Sequence, residues 1–359
     1  MQTEMTRRHW IHVGNACNVK CKFCYYIDSL TAKNNKTTEE LKMDIDFLKR
    51  RGMNRIDFTG GEPTIRQDIN ELISYARQHG FKQVGVITNG VRMCNKEFAK
   101  KMIGAGLNDA LFSLHGPNAE IHDGLTQLPN SFEKIVKSME NVKELGIKQF
   151  RTNSVVNKDN YKVLPEMAEL IVKLKPKIAN LILFNPAEDA RLYSQDMMVA
   201  YSEAAPYVKK AIDIMKPYVK RINVRYIPLC FMEGYEEHVC NTYQQDYDPY
   251  EADNLNRERM HLGLPIVVYH IAKGFFYVHP SRYASIRLGL KPLMHEAWVK
   301  GSSGNSVKTP NCKDCKYDYI CSGVSKEYEE FIGLHEIKPV PGRKIRDPIH
   351  FRRGYFNEY

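Results

Sequence analysis

WIHVGNACNVKCKFCYY, residues 10–26, joins a short apolar run to a loop bearing Cys17, Cys21 and Cys24. The run reads as a buried strand. Three thiolates at this spacing can hold three irons of a [4Fe–4S] cluster and leave a fourth iron open, because a short loop turns all three sulfurs toward one centre. A structural zinc takes the same sulfurs but wants a fourth ligand nearby. His12 is the only close histidine, and it sits inside the apolar strand, where packing or hydrogen bonding is its ordinary use. A disulfide cluster fits less well, since nine cysteines is an odd count and no export signal precedes them.

Outward from this loop the chain repeats one pattern. Thr37-Thr38-Glu39-Glu40 is a capping box opening a helix with Leu41, Ile45 and Leu48 on one face, closed by Gly52. RIDFTGGEP (55–63) is a strand entering a glycine-rich loop, and Asp68 is expected to cap a helix with Ile69, Leu72, Ile73 and Ala76 inward. KQVGVITNG (82–90) is strand then turn, NKEFAKKMIGAG (95–106) a helix and DALFSLHG (109–116) a strand. Asn130 opens a helix with Ile135, Val136, Met139 and Val142 inward, and IKQFRTNSVV (147–156) is a fifth strand. Pro165 suits the first turn of the next helix, whose apolar face is Leu170, Ile171 and Leu174, before the sixth strand ANLILFNP (179–186).

Six βα-type units in about 190 residues predict an α/β fold with a parallel sheet and helices outside it. Pattern alone allows a barrel, a partial barrel or an open doubly wound sheet. In each, functional loops belong at the carboxyl ends of strands, where this chain carries Cys17–Cys24, Gly60-Gly61-Glu62, Thr88-Asn89-Gly90 and His115-Gly116.

CxxxCxxC with Phe23 before its last cysteine, together with GGEP at 60–63, resembles the signature of the radical S-adenosylmethionine (radical SAM) enzymes. The resemblance implies a (β/α)6 partial TIM barrel with a small C-terminal iron–sulfur extension. It also implies that Cys17, Cys21 and Cys24 hold a [4Fe–4S] cluster whose open iron chelates the methionine end of SAM. One electron then splits SAM into methionine and a 5′-deoxyadenosyl radical, which takes hydrogen from a substrate C–H bond. Gly60, Gly61 and Glu62 are expected at the methionine amino group, the glycines letting carbonyls approach and the Glu62 carboxylate accepting from the ammonium.

Ser113 and Asn153 become candidates for the SAM carboxylate or ribose, with a satisfied polar residue in a barrel interior as the plainer reading. Thr88 and Asn89 either orient the cluster loop or shape a turn. His115 is a weak acid/base candidate, and His122 and Arg151 are weaker; a surface loop is the alternative for the histidines. Lys20 and Lys22 either tune the cluster or face solvent.

Past residue 186 the repeat fades. AIDIMKPYVK (211–220) is helical, INVRYIPLC (222–230) is a strand ending in Cys230, NTYQQDYDPYEADN (241–254) is a long loop, and LPIVVYHIAKGFFYVHP (264–280) is a hairpin turning at Lys273-Gly274. Cys312, Cys315 and Cys321 follow as CxxCxxxxxC, which resembles the SPASM and Twitch extensions of radical SAM enzymes. That implies an auxiliary [4Fe–4S] cluster on Cys230, Cys312, Cys315 and Cys321. Cys240 is the rival fourth ligand, an open iron a further possibility, and a zinc knuckle the plainer reading. Cys94 is most simply a packed thiol, with hydrogen-atom donation by it or Cys240 a remote role. The expected organisation is a partial barrel over 1–222, an auxiliary-cluster region over 223–335 and a basic tail over 336–359, wrapped back or mobile.

The formal charge of +10 and pI near 9.0 come from lysines scattered along helix faces, which reads against a nucleic-acid surface and suits an acidic electron donor such as flavodoxin or ferredoxin. Apolar stretches are too short and too interrupted for a membrane span, and free or metal-bound cysteines fit the cytoplasm. The early position of Cys17 argues against a preceding cobalamin domain and weakens a peptide-maturase reading. A polar small molecule such as a sugar or amino alcohol is the preferred substrate, because tyrosines and aspartates in 243–253 suit a polyol pocket or else a solvated loop. The expected chemistry is dehydrogenation, epimerisation or rearrangement. The alternatives are peptide modification, nucleic-acid modification, and a non-catalytic zinc or iron–sulfur protein.

Overall fold

The computed structural model describes residues 6–26, 30, 35–186, 195–245, 247–252, 265, 268–269, 271–272 and 306–356. They fall into two compact units, one of residues 8–223 and the other of the residues before 8 and after 223.

In the first unit seven strands join one sheet in chain order: β1 (Arg8–His12), β2 (Arg55–Thr59), β3 (Gln83–Thr88), β4 (Asp109–Ser113), β5 (Gln149–Val156), β6 (Ile178–Leu183) and β7 (Arg221–Arg225). The registered pairs from β1 to β6 are all parallel. Each parallel step needs a crossover, supplied by α1 (Thr38–Arg50), α2 (Ile69–Gln78), α3 (Lys96–Gly104), α4 (Ala119–Thr126) with α5 (Ser131–Glu144), α6 (Leu164–Leu174) and α7 (Tyr201–Met215). β1 and β7 end the strand order, so the sheet is a curled partial barrel.

The expected six units become seven strands. INVRYIPLC does not form a strand of the extension ending at Cys230: Arg221–Arg225 lengthens the main sheet, all five residues buried. Tyr226 then turns into left-handed backbone at φ 59° and ends the strand, leaving Cys230 in the 3-10 turn Leu229–Phe231. Helix α4 has no counterpart in the sequence expectation, because Gly116, Pro117 and Gly124 punctuate the segment like a loop; Asn118 starts it by accepting the Ile121 N–H. The α1 capping box forms as read, Thr37 and Glu40 exchanging side-chain and backbone bonds. Asp68 does not cap α2, since its carboxylate is taken by Arg66 at 2.7 and 2.9 Å and by Thr38 at 2.6 Å. Asn130 makes no side-chain cap either, its own backbone being left-handed at φ 61°.

Alternation along the strands sorts the two faces. Ile56, Phe58, Val84, Val86, Ala110 and Phe112 are fully buried on the outer face, whereas the inner face begins with charge. Arg8 donates to Asp57 at 2.7 Å, to Gln83 at 2.7 Å and to Asp109 at 3.0 Å. Arg151 donates to Asp109 and to Asp57, both at 2.9 Å. Two guanidiniums and two carboxylates from four strands, with the Gln83 amide of a fifth, close on one another in the lower part of the sheet.

In the second unit β8 (Ser306–Val307) pairs antiparallel with β9 (Val324–Ser325). A short helix, Lys326–Phe331, follows on a Ser325 cap. The described part of the basic C-terminal segment is bonded to this unit: the Lys316 N–H donates to the Val340 carbonyl at 2.7 Å, and Arg352 pairs with Asp248 at 2.7 Å. The expected hairpin at 264–280 lies almost wholly outside the described residues.

Removing one partner from a buried ionic cluster strands the other charge, at a cost of about 3–5 kcal/mol. Asp57→Asn is therefore expected to lower the urea-unfolding free energy by that order. Burial opposes ionisation of Asp57, but the Arg151 and Arg8 guanidiniums outweigh it and hold the carboxyl below its ordinary range. Its stabilisation is complete above the unfolded carboxylate value and is lost as pH falls through the depressed folded value, so wild type should lose stability on acidification more steeply than Asp57→Asn. Parallel acid-unfolding curves for the two proteins would contradict this.

Candidate active site

The cysteine loop prolongs the pairing of β1 with β2. The Val13 N–H donates to the Thr59 carbonyl at 2.8 Å; the Gly61 and Glu62 N–H groups then donate back to Gly14 and Ala16, each at 2.8 Å. This closeness explains both glycines. A Cβ on Gly61 would stand 2.0 Å from the Ala16 carbonyl oxygen, and one on Gly60 (φ +125°) would stand 2.4 Å from that of Gly14. The backbone that approaches them is that of the cysteine loop. Opposite, the Lys20 and Lys22 N–H groups donate to Thr126 at 3.2 Å and Leu125 at 3.0 Å, carbonyls of the last turn of α4. The Lys22 ammonium lies 3.3 Å from Asp159 at the surface.

Glu62 is buried and its carboxylate has four donors in the protein. One oxygen accepts from the Thr64 N–H at 3.0 Å, the Thr64 hydroxyl at 2.5 Å and the Thr88 hydroxyl at 2.7 Å; the other accepts from the Asn89 N–H at 2.7 Å. Burial still pushes its carboxyl up. In this arrangement Glu62 ties the end of β3 to the GGEP loop. Asn89 both shapes its turn and reaches the cluster loop: its side-chain amide donates to Asn18 at 2.7 Å and lies 4.0 Å from Cys17 Sγ.

The three thiols are half-buried on one loop. Burial, with Glu62 and Cys24 nearby, pushes Cys17 up to about 11, and burial with Cys24 and Cys17 raises Cys21 as well. Thiolates so placed need a cationic centre, which suits metal ligation. Among the described residues no three metal-binding side chains converge on one ion position.

His115 and His122 are buried and stacked, ring centroids 5.8 Å apart, and Phe23 meets His115 edge-on at 4.7 Å. Neither is a surface loop residue. The Val155 N–H donates to His115 Nδ1 at 3.3 Å and the His115 N–H to His122 Nδ1 at 3.1 Å, which assigns the remaining proton of each ring to Nε2. Burial drives His115 well below its ordinary value and His122 down to about 4, so both rings are neutral at pH 7. Arg151 belongs to the ionic layer. Ser113 and Asn153 are half-buried register partners on the inner face, and Asn180, which sequence reading passed over, is the register partner of Asn153.

In the second unit Cys230, Cys312, Cys315 and Cys321 line one cavity together with Pro228, Val307, Lys308, Thr309 and Tyr317. Burial and the other three sulfurs raise the Cys230 thiol. Cys240 is fully buried elsewhere, 4.0 Å from Asp248. Asp248 is taken by Arg352, and Tyr243, Tyr247 and Tyr250 are buried, so these residues do not form a solvated loop, while Asp246 and Asp253 lie outside the described residues.

A half-barrel of parallel strands with three cysteines on its first loop and GGEP on its second is the architecture of one superfamily. Residues 11–171 match the model of the radical SAM superfamily, so the chain carries a domain of that superfamily there. Such a domain implies a [4Fe–4S] cluster and SAM. Over 226 residues the chain is 30% identical to Fe-coproporphyrin III synthase of Methanosarcina barkeri, spanning 62% of this chain and 52% of that protein. Over 332 residues it is 25% identical to AdoMet-dependent heme synthase of Oleidesulfovibrio alaskensis, spanning 90% of this chain and 83% of that one. SuiB of Streptococcus suis bound to precursor peptide SuiA shares the fold at TM-score 0.51 and 18% identity, over 62% of this chain and 49% of SuiB. The chain thus spans about half the length of the Methanosarcina relative and of SuiB. No helix among the described residues is long and apolar enough to cross a membrane.

Because the Gly61 Cβ position is filled by loop backbone, Gly61→Ala is expected to displace the cysteine loop without unfolding the sheet. About four irons should be lost after anaerobic reconstitution, with the far-ultraviolet dichroism unchanged. Full iron content in that variant would show that the ladder does not position the ligands.

Proposed function

We propose that this protein reductively cleaves SAM at a [4Fe–4S] cluster held by Cys17, Cys21 and Cys24 and abstracts hydrogen from a substrate C–H bond, with a second iron–sulfur cluster on Cys230, Cys312, Cys315 and Cys321. The observation that carries the reading is the cysteine loop laddered onto GGEP inside a radical SAM domain. When bound, the cluster supplies the electron that splits SAM. The chain's own part is to fix the loop: Gly60 and Gly61 admit it, Glu62 and Thr88 hold the neighbouring turn, and Asn89 meets Asn18 and Cys17. The basic chain suits an acidic one-electron donor such as flavodoxin or ferredoxin.

For substrate, the similarity to an AdoMet-dependent heme synthase, over 90% of this chain and 83% of that one, favours an iron tetrapyrrole. The sugar or amino alcohol reading draws on the tyrosines and aspartates of residues 243–253, of which Asp248 is paired with Arg352.

Anaerobic reconstitution should give about eight irons, falling to about four in a Cys17→Ala/Cys21→Ala/Cys24→Ala variant and in a Cys312→Ala/Cys315→Ala/Cys321→Ala variant. Dithionite and SAM should yield 5′-deoxyadenosine with wild type and none with the first variant. Zinc without iron in folded wild type would sink the enzyme reading. Addition of an iron coproporphyrin should raise 5′-deoxyadenosine formation and change the porphyrin mass; no effect of the porphyrin would remove that substrate class alone.

A further inference from the structure

Pro339-Val340-Pro341 stands near the head of the basic C-terminal segment, and of these three residues Val340 alone has a backbone N–H. Each proline ring fixes its own φ, and the second proline confines Val340 to extended backbone, so the tripeptide is stiff as well as poor in donors. Its single N–H donates to Cys315 Sγ at 3.3 Å, and the Val340 carbonyl accepts from the Lys316 N–H at 2.7 Å. The chain then returns to the same place. The Ile345 N–H donates to the Lys316 carbonyl at 2.9 Å, and the Lys344 ammonium donates to the Cys315 carbonyl at 3.0 Å and to that of Lys313. Lys316, next to a candidate ligand, is thus bonded through both its backbone groups to one segment. Just before that segment, Ile337 and Lys338 line the cavity of the four cysteines.

Two other sulfurs of the cavity have polar neighbours as well. The Gly323 N–H donates to Cys321 Sγ at 3.4 Å, and the Thr309 hydroxyl lies 3.3 Å from Cys312 Sγ. A thiol is a weak acceptor, whereas a thiolate on iron draws charge-assisted bonds. Such bonds offset the negative charge of a cluster, which is greater in its reduced state, and so raise the reduction potential. We propose that residues 339–341 form a strap whose Val340 N–H tunes an iron–sulfur cluster held at Cys315, raising its reduction potential; this rests on the auxiliary-cluster reading above. The flanking prolines leave no competing N–H, and the bonds to Lys316 fix the strap against the ligand. Val340 is a positioning residue whose amide acts through the ligand sulfur.

The full chain carrying Cys17→Ala/Cys21→Ala/Cys24→Ala, reconstituted anaerobically, presents the auxiliary cluster alone, and electron paramagnetic resonance follows its reduction. Val340→Pro removes the N–H while keeping extended backbone and the carbonyl. At the potential where the parent cluster is half reduced, the reduced-to-oxidised ratio of this variant should be about fivefold lower. Val340→Ala keeps the N–H and should match the parent. A second readout needs no proline: with nitrogen-15 valine throughout, the reduced parent cluster should show a nitrogen hyperfine coupling that Val340→Ala abolishes. An unshifted ratio in iron-loaded Val340→Pro overturns the proposal, as does an equal shift in Val340→Ala or a coupling that survives in Val340→Ala. If Val340→Pro takes up no iron, the coupling decides alone. A parent chain that holds zinc or no iron fails the auxiliary-cluster reading itself.

Discussion

Three backbone hydrogen bonds, Val13 to Thr59, Gly61 to Gly14 and Glu62 to Ala16, carry the candidate site. They extend the pairing of β1 with β2 past the end of both strands, into a region where the chain has to lie closer than any side chain permits. The absence of a Cβ at Gly60 and Gly61 is thus a condition for the cysteine loop to have its path. Everything outward follows in sequence. With the loop fixed, Glu62 is carried inward, where it gathers Thr64, Thr88 and Asn89; Asn89, so held, extends its amide to Asn18 and Cys17. The backbone constraint that fixes the cysteine loop after β1 therefore also sets the contacts that reach back to it from the turn after β3, two strands away.

Below this level the interior is closed by charge. Arg8, Asp57, Asp109 and Arg151 are each almost completely buried, and such groups persist only when every partner is present. Gly85 belongs to the same arrangement, since a Cβ there would lie 2.1 Å from an Asp57 oxygen. Their mutual neutralisation leaves the space above them with little net field from the floor. Side chains at the next level, Ser113, Asn153 and Asn180, bring hydrogen bonds and no charge. The barrel is graded along its strands from ionic to neutral polar, and at the cysteine loop to thiols.

Much of this was legible in the sequence. Helix and strand order through residue 186 followed from apolar periodicity, capping residues and glycine stops, and the cysteines and GGEP were readable as fixed short spacings. Inner-face residues were harder, because a polar side chain within an apolar strand has the same local pattern whether it meets an ion, a ligand or nothing. Asp57 in RIDFT, Asp109 in DALFS and Arg151 in QFRTN are such cases: each is an interruption whose meaning depends on the opposite strand. Asn180 in ANLIL is another, visible only once register ties it to Asn153. Helix α4 was hidden because its glycines and Pro117 outweighed the Asn118 cap in a local reading. The strand in INVRYIPLC forms, but its end is not legible, since nothing local there marks Tyr226 as the point where the backbone turns left-handed.

The two sets of cysteines stand on different foundations. The loop of Cys17, Cys21 and Cys24 is bonded on one side to the GGEP segment and on the other to α4, within a unit whose outer face holds a large apolar core. Its path is determined by groups that need no metal. Cys230, by contrast, lies in one short turn and Cys312, Cys315 and Cys321 in a distant segment, beside strands of two residues each. Among the described residues little paired backbone surrounds them, and burial raises the Cys230 and Cys321 thiols. Metal ligation would release the thiol protons and join the two segments at once, so binding free energy there is also folding free energy. On the proposed second cluster, the described residues around these cysteines would order as they bind it.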